Sequence, residues 1–247
     1  MKPCLIRMKV RVLEHCEVGG RQLAKLLKRK GLRASCIKRI LMPYYELSLT
    51  YEGAGLRGET RTFLNAYLAP GAEGEELLKL FRPRYADLKV VERPVEPGED
   101  VYPFKEVGLG ELLAKLMQRY MDALAEEREL RLLIKNRGPL EVPILRLLAP
   151  RLVDEKLMSS YEGMYRMKLL RTLINMCLNV DPRLMLERLE LRSSSVVYSA
   201  ILLLKAKGDE EEFLVLDLSG RKPSFDDSLA DMLSSRDRAE ERISWKG

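Results

Sequence analysis

Apolar and polar residues alternate most regularly between residues 36 and 68. One face of the first alternating run carries Tyr45, Leu47, Leu49 and Tyr51, and the other carries Glu46, Ser48, Thr50 and Glu52. This period of two is typical of a half-buried strand. A glycine-containing loop and a second alternating run follow, so we predict a β-hairpin over residues 40–68 and a short helix at 75–81.

The same alternation begins near the N-terminus and predicts a strand over residues 4–13. Its apolar face carries Ile6, Met8, Val10 and Val12, and its basic face carries Arg7, Lys9 and Arg11. Residues 21–30 predict an amphipathic helix, because Leu23, Leu26 and Leu27 form a stripe and Gly31 is a natural C-terminal stop. A further strand is predicted at 88–95.

The period changes to 3.6 in the middle of the chain. Apolar residues at helical spacing predict helices over 109–135, 141–149 and 154–178. Strands are predicted again at 196–207 and 212–218, and a last helix is predicted with Asp226 or Asp227 as its N-cap. The segment 94–103 contains three prolines, and we interpret it as a linker.

These elements predict an α+β fold, in which two β-hairpin-plus-helix sheet modules flank a helical middle segment. The predicted divisions are a basic α+β module at 1–100, a helical segment at 105–180 and a second α+β module at 190–247, which can pack with the first as one domain. Residues 43–81 and 196–235 follow the same order of strand, turn, strand and helix. This order indicates either an internal duplication, with both hairpins in one sheet, or a chance likeness.

The glycines at 53, 55 and 58 match the pattern G-x-G-x-x-G. A dinucleotide site needs a helix after these glycines, but residues 59–63 are typical of a strand. A kinase glycine loop would also need H-R-D and D-F-G motifs, and neither occurs in the sequence. We therefore predict that residues 53–58 form only a hairpin loop.

Candidate catalytic and metal-binding groups are few. His15 is the only histidine, and it lies next to Cys16, so the two side chains would face opposite sides of a strand. The cysteines Cys4, Cys16, Cys36 and Cys177 form no C-x-x-C pair, which favours free thiols, with disulfides as the alternative. We predict no catalytic residue, no metal site and no cofactor.

One carboxylate cluster supports an alternative. Glu210, Glu211, Glu212 and Asp217 lie close together in the sequence, and Lys222 follows them. Two-metal nucleases use acidic residues on neighbouring strands, often with a nearby lysine. The alternative hypothesis is therefore a metal-dependent, nuclease-like enzyme that uses carboxylates near Asp217. Charges at a hairpin tip are more often solvated.

Positive charge is concentrated at the N-terminus. Residues 1–39 contain 12 Lys and Arg but only Glu14 and Glu17, whereas the whole chain has a net charge of +6. The candidate nucleic-acid-binding residues are Arg7, Lys9, Arg11, Arg21, Lys25, Lys28, Arg29, Lys30, Arg33, Lys38 and Arg39. Basic side chains bind nucleic acid by releasing counterions from its phosphates. The alternatives are an acidic protein partner and a solvated face.

Composition completes the prediction. Charged residues make up 32% of the chain and amides are scarce, which is typical of thermophilic proteins. No apolar run approaches the roughly 18 residues that a membrane-spanning helix needs. We predict a cytoplasmic, non-catalytic accessory protein that binds DNA or RNA or joins a complex, without contact with a membrane. The oligomeric state is left open.

Overall fold

The computed structural model of the chain describes residues 9–29, 31, 34–70, 72–136, 155–206 and 212–233. Its strands are β1 Lys9–Leu13, β2 Ala34–Gly53, β3 Leu56–Asn65, β4 Val90–Pro94, β5 Glu99–Val101, β6 Arg188–Ala206, β7 Glu212–Asp217 and β8 Ser224–Phe225. Its helices are α1 Gly20–Arg29, α2 Gly74–Leu80, α3 Leu109–Asn136 and α4 Glu155–Cys177, with a 3₁₀ turn at Pro83–Tyr85. Residues 227–233 are also helical.

The described strands belong to one mixed sheet. The main order is β3-β2-β6-β1-β4, while β5 pairs with β2, and β7 pairs with both β6 and β8. The predicted α+β class is therefore confirmed. The arrangement as two sheet modules is not confirmed, because the first hairpin and the second share this sheet where β2 lies beside β6.

The chain forms two compact units. The first contains Met1–Ser48, Arg61–Val107 and Ser193–Gly247, and the second contains Leu49–Thr60 and Gly108–Arg192. Both units are discontinuous in sequence, because β2, β3 and β6 are long enough to contribute residues to each of them.

The core of the first unit contains the predicted N-terminal strand and helix. Val10 and Val12 of β1 pack in one buried cluster with Leu23 and Leu27 of α1. The predicted helix stop is confirmed, because Gly31 has φ +72° and its N–H donates to the carbonyl of Lys28 over 3.1 Å. The amphipathic pattern of residues 21–30 thus determines which face of α1 meets the sheet.

The interpretation of residues 94–103 as a linker is wrong. These residues include β5, which pairs in parallel with β2 from Arg39↔Glu99 to Leu41↔Val101. Arg93 of β4 also donates two hydrogen bonds of 2.7 Å to the carboxylate of Glu99. Of the three prolines, Pro94 ends β4, Pro97 lies between β4 and β5, and Pro103 follows β5. Side-chain and backbone hydrogen bonds therefore hold this segment in the first unit.

The glycine-rich stretch is a tight hairpin turn in the second unit, as predicted. Ala54 and Gly55 have φ +49° and +76° between β2 and β3, which is typical of a two-residue type I′ turn. A Cβ on Gly53 would lie 2.0 Å from the carbonyl oxygen of Met185, and one on Gly58 would lie 2.5 Å from the ring of Tyr51. Close packing therefore accounts for these two glycines, and no phosphate site is needed to explain them.

The second unit is built mainly from α3 and α4, both predicted from their spacing. Gly163 of α4 allows the side chain of Leu130 of α3 to approach closely. The buried carboxylate of Glu127 accepts a hydrogen bond of 2.9 Å from Arg171, which joins the two helices through charge. The predicted helix at 141–149 lies outside the described residues.

Both hairpins are followed by a short helix with buried leucines. Leu78 and Leu80 are buried in α2, and Leu229 and Leu233 are buried in the helical segment 227–233. The predicted cap is confirmed at Asp226, whose Oδ1 accepts a hydrogen bond of 3.0 Å from the N–H of Leu229. The predicted turn at 208–211 lies outside the described residues, and the duplication itself stays a prediction.

Candidate nucleic-acid interface

The solvent-facing side of α1 carries the densest group of exposed basic side chains in the predicted set. Arg21, Lys25, Lys28 and Arg29 are all exposed. On a helix of about 3.6 residues per turn they occupy an arc of about 100°, opposite the buried Leu23 and Leu27. The helix therefore holds four positive charges on one side.

These four charges are not offset by the described residues around them. Arg21, Lys25, Lys28 and Arg29 form no ion pair with any other residue that the structure describes. Lys28 and Arg29 lie in the last turn, where a positive charge interacts favourably with the negative end of the helix dipole. That interaction stabilises the helix and leaves the side chains available to solvent or a ligand.

Three other predicted residues are held in ion pairs. Arg11 lies 3.1 Å from Glu46, and Lys38 lies 2.6 Å from Asp100. Arg39 lies 3.2 Å from Glu96 and 3.0 Å from the buried carboxylate of Glu99. Part of the positive charge counted in the sequence is thus neutralised inside the first unit.

The basic residues of β1 and α1 lie on different sides of the sheet. Since Val10 and Val12 share a cluster with Leu23 and Leu27, the alternate residues Lys9 and Arg11 face away from α1. Lys9 is exposed. The structure therefore groups Arg21, Lys25, Lys28 and Arg29 on one surface, here called the α1 face. Arg7, Lys30 and Arg33 lie outside the described residues.

His15 and Cys16 contact different partners. Nε2 of His15 lies 2.9 Å from Nη2 of Arg39, and Nδ1 lies 3.4 Å from the carbonyl oxygen of Leu13. Cys16 donates through Sγ to the carbonyl of Leu218 over 3.3 Å, and burial raises the pKa of this thiol. A raised pKa disfavours the thiolate, so the pair is poorly suited to nucleophilic catalysis. Cys16 is a free thiol.

Asp217 lies at the end of β7 in a buried polar cluster of the first unit. Its Oδ2 accepts a hydrogen bond of 2.7 Å from the hydroxyl of Tyr85 and forms an ion pair with Arg84. Its Oδ1 accepts a hydrogen bond of 2.9 Å from the N–H of Ser219. Burial, together with the nearby Tyr44 and Asp217, raises the pKa of Tyr85 well above its ordinary value, so Tyr85 remains a donor.

Both carboxylate oxygens of Asp217 thus already accept hydrogen bonds from protein donors, as is usual for a buried polar group. In the part of the chain that the structure describes, no group of three or more His, Cys, Asp and Glu side chains could hold a metal ion. Glu210 and Glu211 lie outside the described residues. Sequence reasoning identified Asp217 but missed Arg84 and Tyr85, which lie more than 130 positions away and carry no local signal.

An open cavity of about 400 Å³ lies next to this cluster and also contains arginines. Its lining residues are Phe81, Arg82, Pro83, Arg84, Phe225, Asp226, Asp227 and Ser228. Asp226 lies 2.9 Å from Arg82 and 3.6 Å from Arg84, so these arginines are already paired. The cavity therefore offers an anion less free positive charge than the α1 face does.

Comparison with known proteins finds no match to a family model, to a curated protein or to a solved structure. None of the described helices is both long enough and apolar enough to cross a membrane.

Proposed function

We propose that this chain is a non-catalytic nucleic-acid-binding or complex-forming accessory protein and that its α1 face contacts the phosphates of DNA or RNA. The observation that carries the proposal is the exposure of Arg21, Lys25, Lys28 and Arg29 on one side of a single helix, without ion pairs to the described residues. Each uncompensated positive charge can displace a counterion from the phosphate backbone.

The composition of the α1 face supports binding without sequence preference. Apart from the four basic residues, its exposed positions in α1 are Gly20, Gln22 and Ala24. Bases are distinguished by hydrogen bonds to their edges, usually from several side chains in a groove. A single glutamine offers little of this, so the affinity would come from charge. Four phosphate contacts would give a slope of log K against log salt of about −3.6 on duplex DNA.

An acidic protein is the alternative ligand for the same face, since surface carboxylates would also meet these charges. The metal-dependent nuclease hypothesis is less well supported. Its central residue, Asp217, accepts hydrogen bonds from Tyr85 and Ser219 and pairs with Arg84. A metal ion would have to displace these donors.

The test is fluorescence anisotropy with a labelled duplex DNA and a labelled duplex RNA of random sequence, at about 50 to 200 mM salt. The variant Lys25→Glu, Lys28→Glu, Arg29→Glu should bind at least tenfold more weakly, with a salt slope reduced by about three units. The matched control Arg119→Glu, Arg128→Glu, Lys222→Glu makes the same change in net charge at exposed sites elsewhere.

The control variant should keep most of the wild-type affinity. If the wild type binds neither duplex at the lower salt concentration, the nucleic-acid proposal is wrong and the acidic-partner alternative is favoured. If both triple variants lose affinity equally, overall charge rather than the α1 face is responsible. Cleavage of either duplex that requires Mg²⁺ or Mn²⁺ would instead support the enzyme hypothesis.

A further inference from the structure

Helix α4 exposes a row of large apolar side chains in the second unit. Tyr165, Leu169, Leu173 and Met176 are 62%, 58%, 41% and 49% exposed. Their spacing of four, four and three residues places them on one side of the helix, within an arc of about 80°. We call these four residues the α4 stripe.

The α4 stripe is not the face with which α4 packs inside its own unit. The opposite side carries the buried Ile174 and also Arg171, which forms an ion pair with Glu127. Gly163, against which Leu130 packs, lies on the same side. A helix that is apolar on two sides normally buries both of them. Contiguous apolar surface that is left exposed usually marks an interaction site.

Basic residues border the α4 stripe on both sides. Arg166 lies on one border and Lys168 on the other, and both are exposed. Neither forms an ion pair with another residue in the described ranges, and the same holds for Glu162, which lies one turn before Arg166. The surface is thus an apolar row between two positive charges that the described residues leave uncompensated.

We propose that the α4 stripe binds an amphipathic helix of another protein, one that carries acidic residues beside its own apolar face. The four residues of the α4 stripe occupy positions i, i+4, i+8 and i+11. Paired amphipathic helices contact each other through apolar residues with this kind of spacing. Acidic residues on the partner would pair with Arg166 and Lys168 and would set its orientation.

A second copy of this chain fits the α4 stripe less well. In an antiparallel pairing with twofold symmetry, each border of the stripe meets the same border of the other copy. Lys168 would then lie near Lys168 of the second molecule, and Arg166 would lie near Arg166 of the second molecule. Like charges would therefore lie together, and the only carboxylate of α4 near them in the described residues, Glu162, lies beyond the end of the stripe.

A membrane surface also fits less well. Helices that lie in a membrane interface present a broad apolar face and a strongly charged opposite face. The α4 stripe is narrow, and the opposite face of α4 is occupied by α3 contacts. Its width is closer to the seam between two paired helices.

The proposal is tested with two synthetic peptides of about 18 residues, or roughly 27 Å of helix. Both carry leucines with the spacing of the α4 stripe, and they differ only in having glutamates or lysines beside the leucines. Fluorescence anisotropy with the full chain should show that the glutamate peptide binds at least tenfold more tightly than the lysine peptide. Leu169→Asp with Leu173→Asp should abolish this binding. The control Leu56→Asp, which changes an exposed leucine of the β2–β3 hairpin, should not.

A second variant keeps the test decisive if the aspartates impair folding. Arg166→Glu with Lys168→Glu leaves the apolar row intact and should reverse the preference between the two peptides. Equal binding of both peptides, or binding of neither, would overturn the proposal. So would a wild-type dimer in sedimentation that Leu169→Asp with Leu173→Asp dissociates, or binding to anionic lipid vesicles that the same variant loses.

Discussion

The hydroxyl of Tyr85 donates a hydrogen bond of 2.7 Å to Oδ2 of Asp217, and both side chains are buried. The bond joins the 3₁₀ turn after α2 to the end of β7 and so connects the region that follows the first hairpin to the last strand of the second. A buried carboxylate needs such donors, because an uncompensated buried charge is costly.

Tyr85→Phe should lower the free energy of unfolding at neutral pH by about 1.5 to 3 kcal/mol, since it removes a donor from a charged acceptor. The control Tyr165→Phe changes an exposed ring and should have little effect. Urea denaturation followed by circular dichroism measures both variants. A loss below the error of the control would show that Arg84 and Ser219 suffice for Asp217.

The same substitution should change the alkaline stability profile. Burial raises the pKa of Tyr85, so the folded chain keeps this proton at a pH where the unfolded chain, with a tyrosine pKa of about 10, has lost it. Stability should therefore fall as the pH rises above about 10, by about 1.4 kcal/mol per pH unit for each such tyrosine. Burial also raises the pKa of Tyr44, which contributes similarly. In Tyr85→Phe the free energy of unfolding should therefore decrease less steeply above about pH 10, by about 1.4 kcal/mol per pH unit.

Glu99 should make the stability of the chain fall as the pH is lowered, which is the opposite of the effect of Tyr85. Burial alone would raise the pKa of Glu99, but the hydrogen bonds from Arg93 and the charges around it outweigh burial and lower it. Its contribution to stability is thus present above the unfolded pKa of about 4.3 and is lost as the pH falls through the lower folded value.

Glu99→Gln should therefore destabilise the chain by about 2 to 3 kcal/mol at pH 7, and the difference from wild type should shrink towards pH 3. The exposed Glu126→Gln serves as the control. Denaturation midpoints across this pH range measure the difference, and a gap that stays constant with pH would contradict the ion-pair explanation.

Two glycines of the β2–β3 turn should respond differently to alanine. Gly53→Ala brings a Cβ within 2.0 Å of the Met185 carbonyl oxygen, so the backbone must move, at a cost of about 3 kcal/mol. Gly55→Ala meets no atom within 4 Å but must hold φ near +76°, which costs only about 1 to 2 kcal/mol. Thermal denaturation should rank the variants in this order. The reverse order would contradict the close approach of Met185.

Neutralising unpaired basic residues should weaken DNA binding more than neutralising basic residues that already form ion pairs. Arg11→Gln with Lys38→Gln removes two charges that Glu46 and Asp100 already neutralise, so affinity for duplex DNA should change less than about twofold. Lys25→Gln with Lys28→Gln removes two uncompensated charges and should weaken binding by roughly tenfold. Anisotropy at fixed salt measures both, and similar losses would mean that the α1 face has no special role.

Local pattern was sufficient for most of the secondary structure. The strand at residues 45–52, the stop of α1 at Gly31 and the cap at Asp226 each depend on residues within one turn or one strand of each other. Helical and strand periods, caps and turn glycines act over such short distances, so a single sequence contains the information.

Tertiary structure alone decided how these elements share a sheet and which charges remain free. The three prolines of residues 94–103 predicted a linker, but β5 in this segment pairs with β2. Backbone hydrogen bonds and the contact between Arg93 and Glu99 hold the segment in place. Composition likewise could not distinguish Arg11 from Lys25. Arg11 meets Glu46 only because β1 and β2 lie in one sheet, whereas Lys25 of α1 meets no acidic residue in the described ranges. Ion pairs and buried hydrogen bonds depend on contacts between residues that are far apart in the sequence, so local sequence patterns cannot predict them.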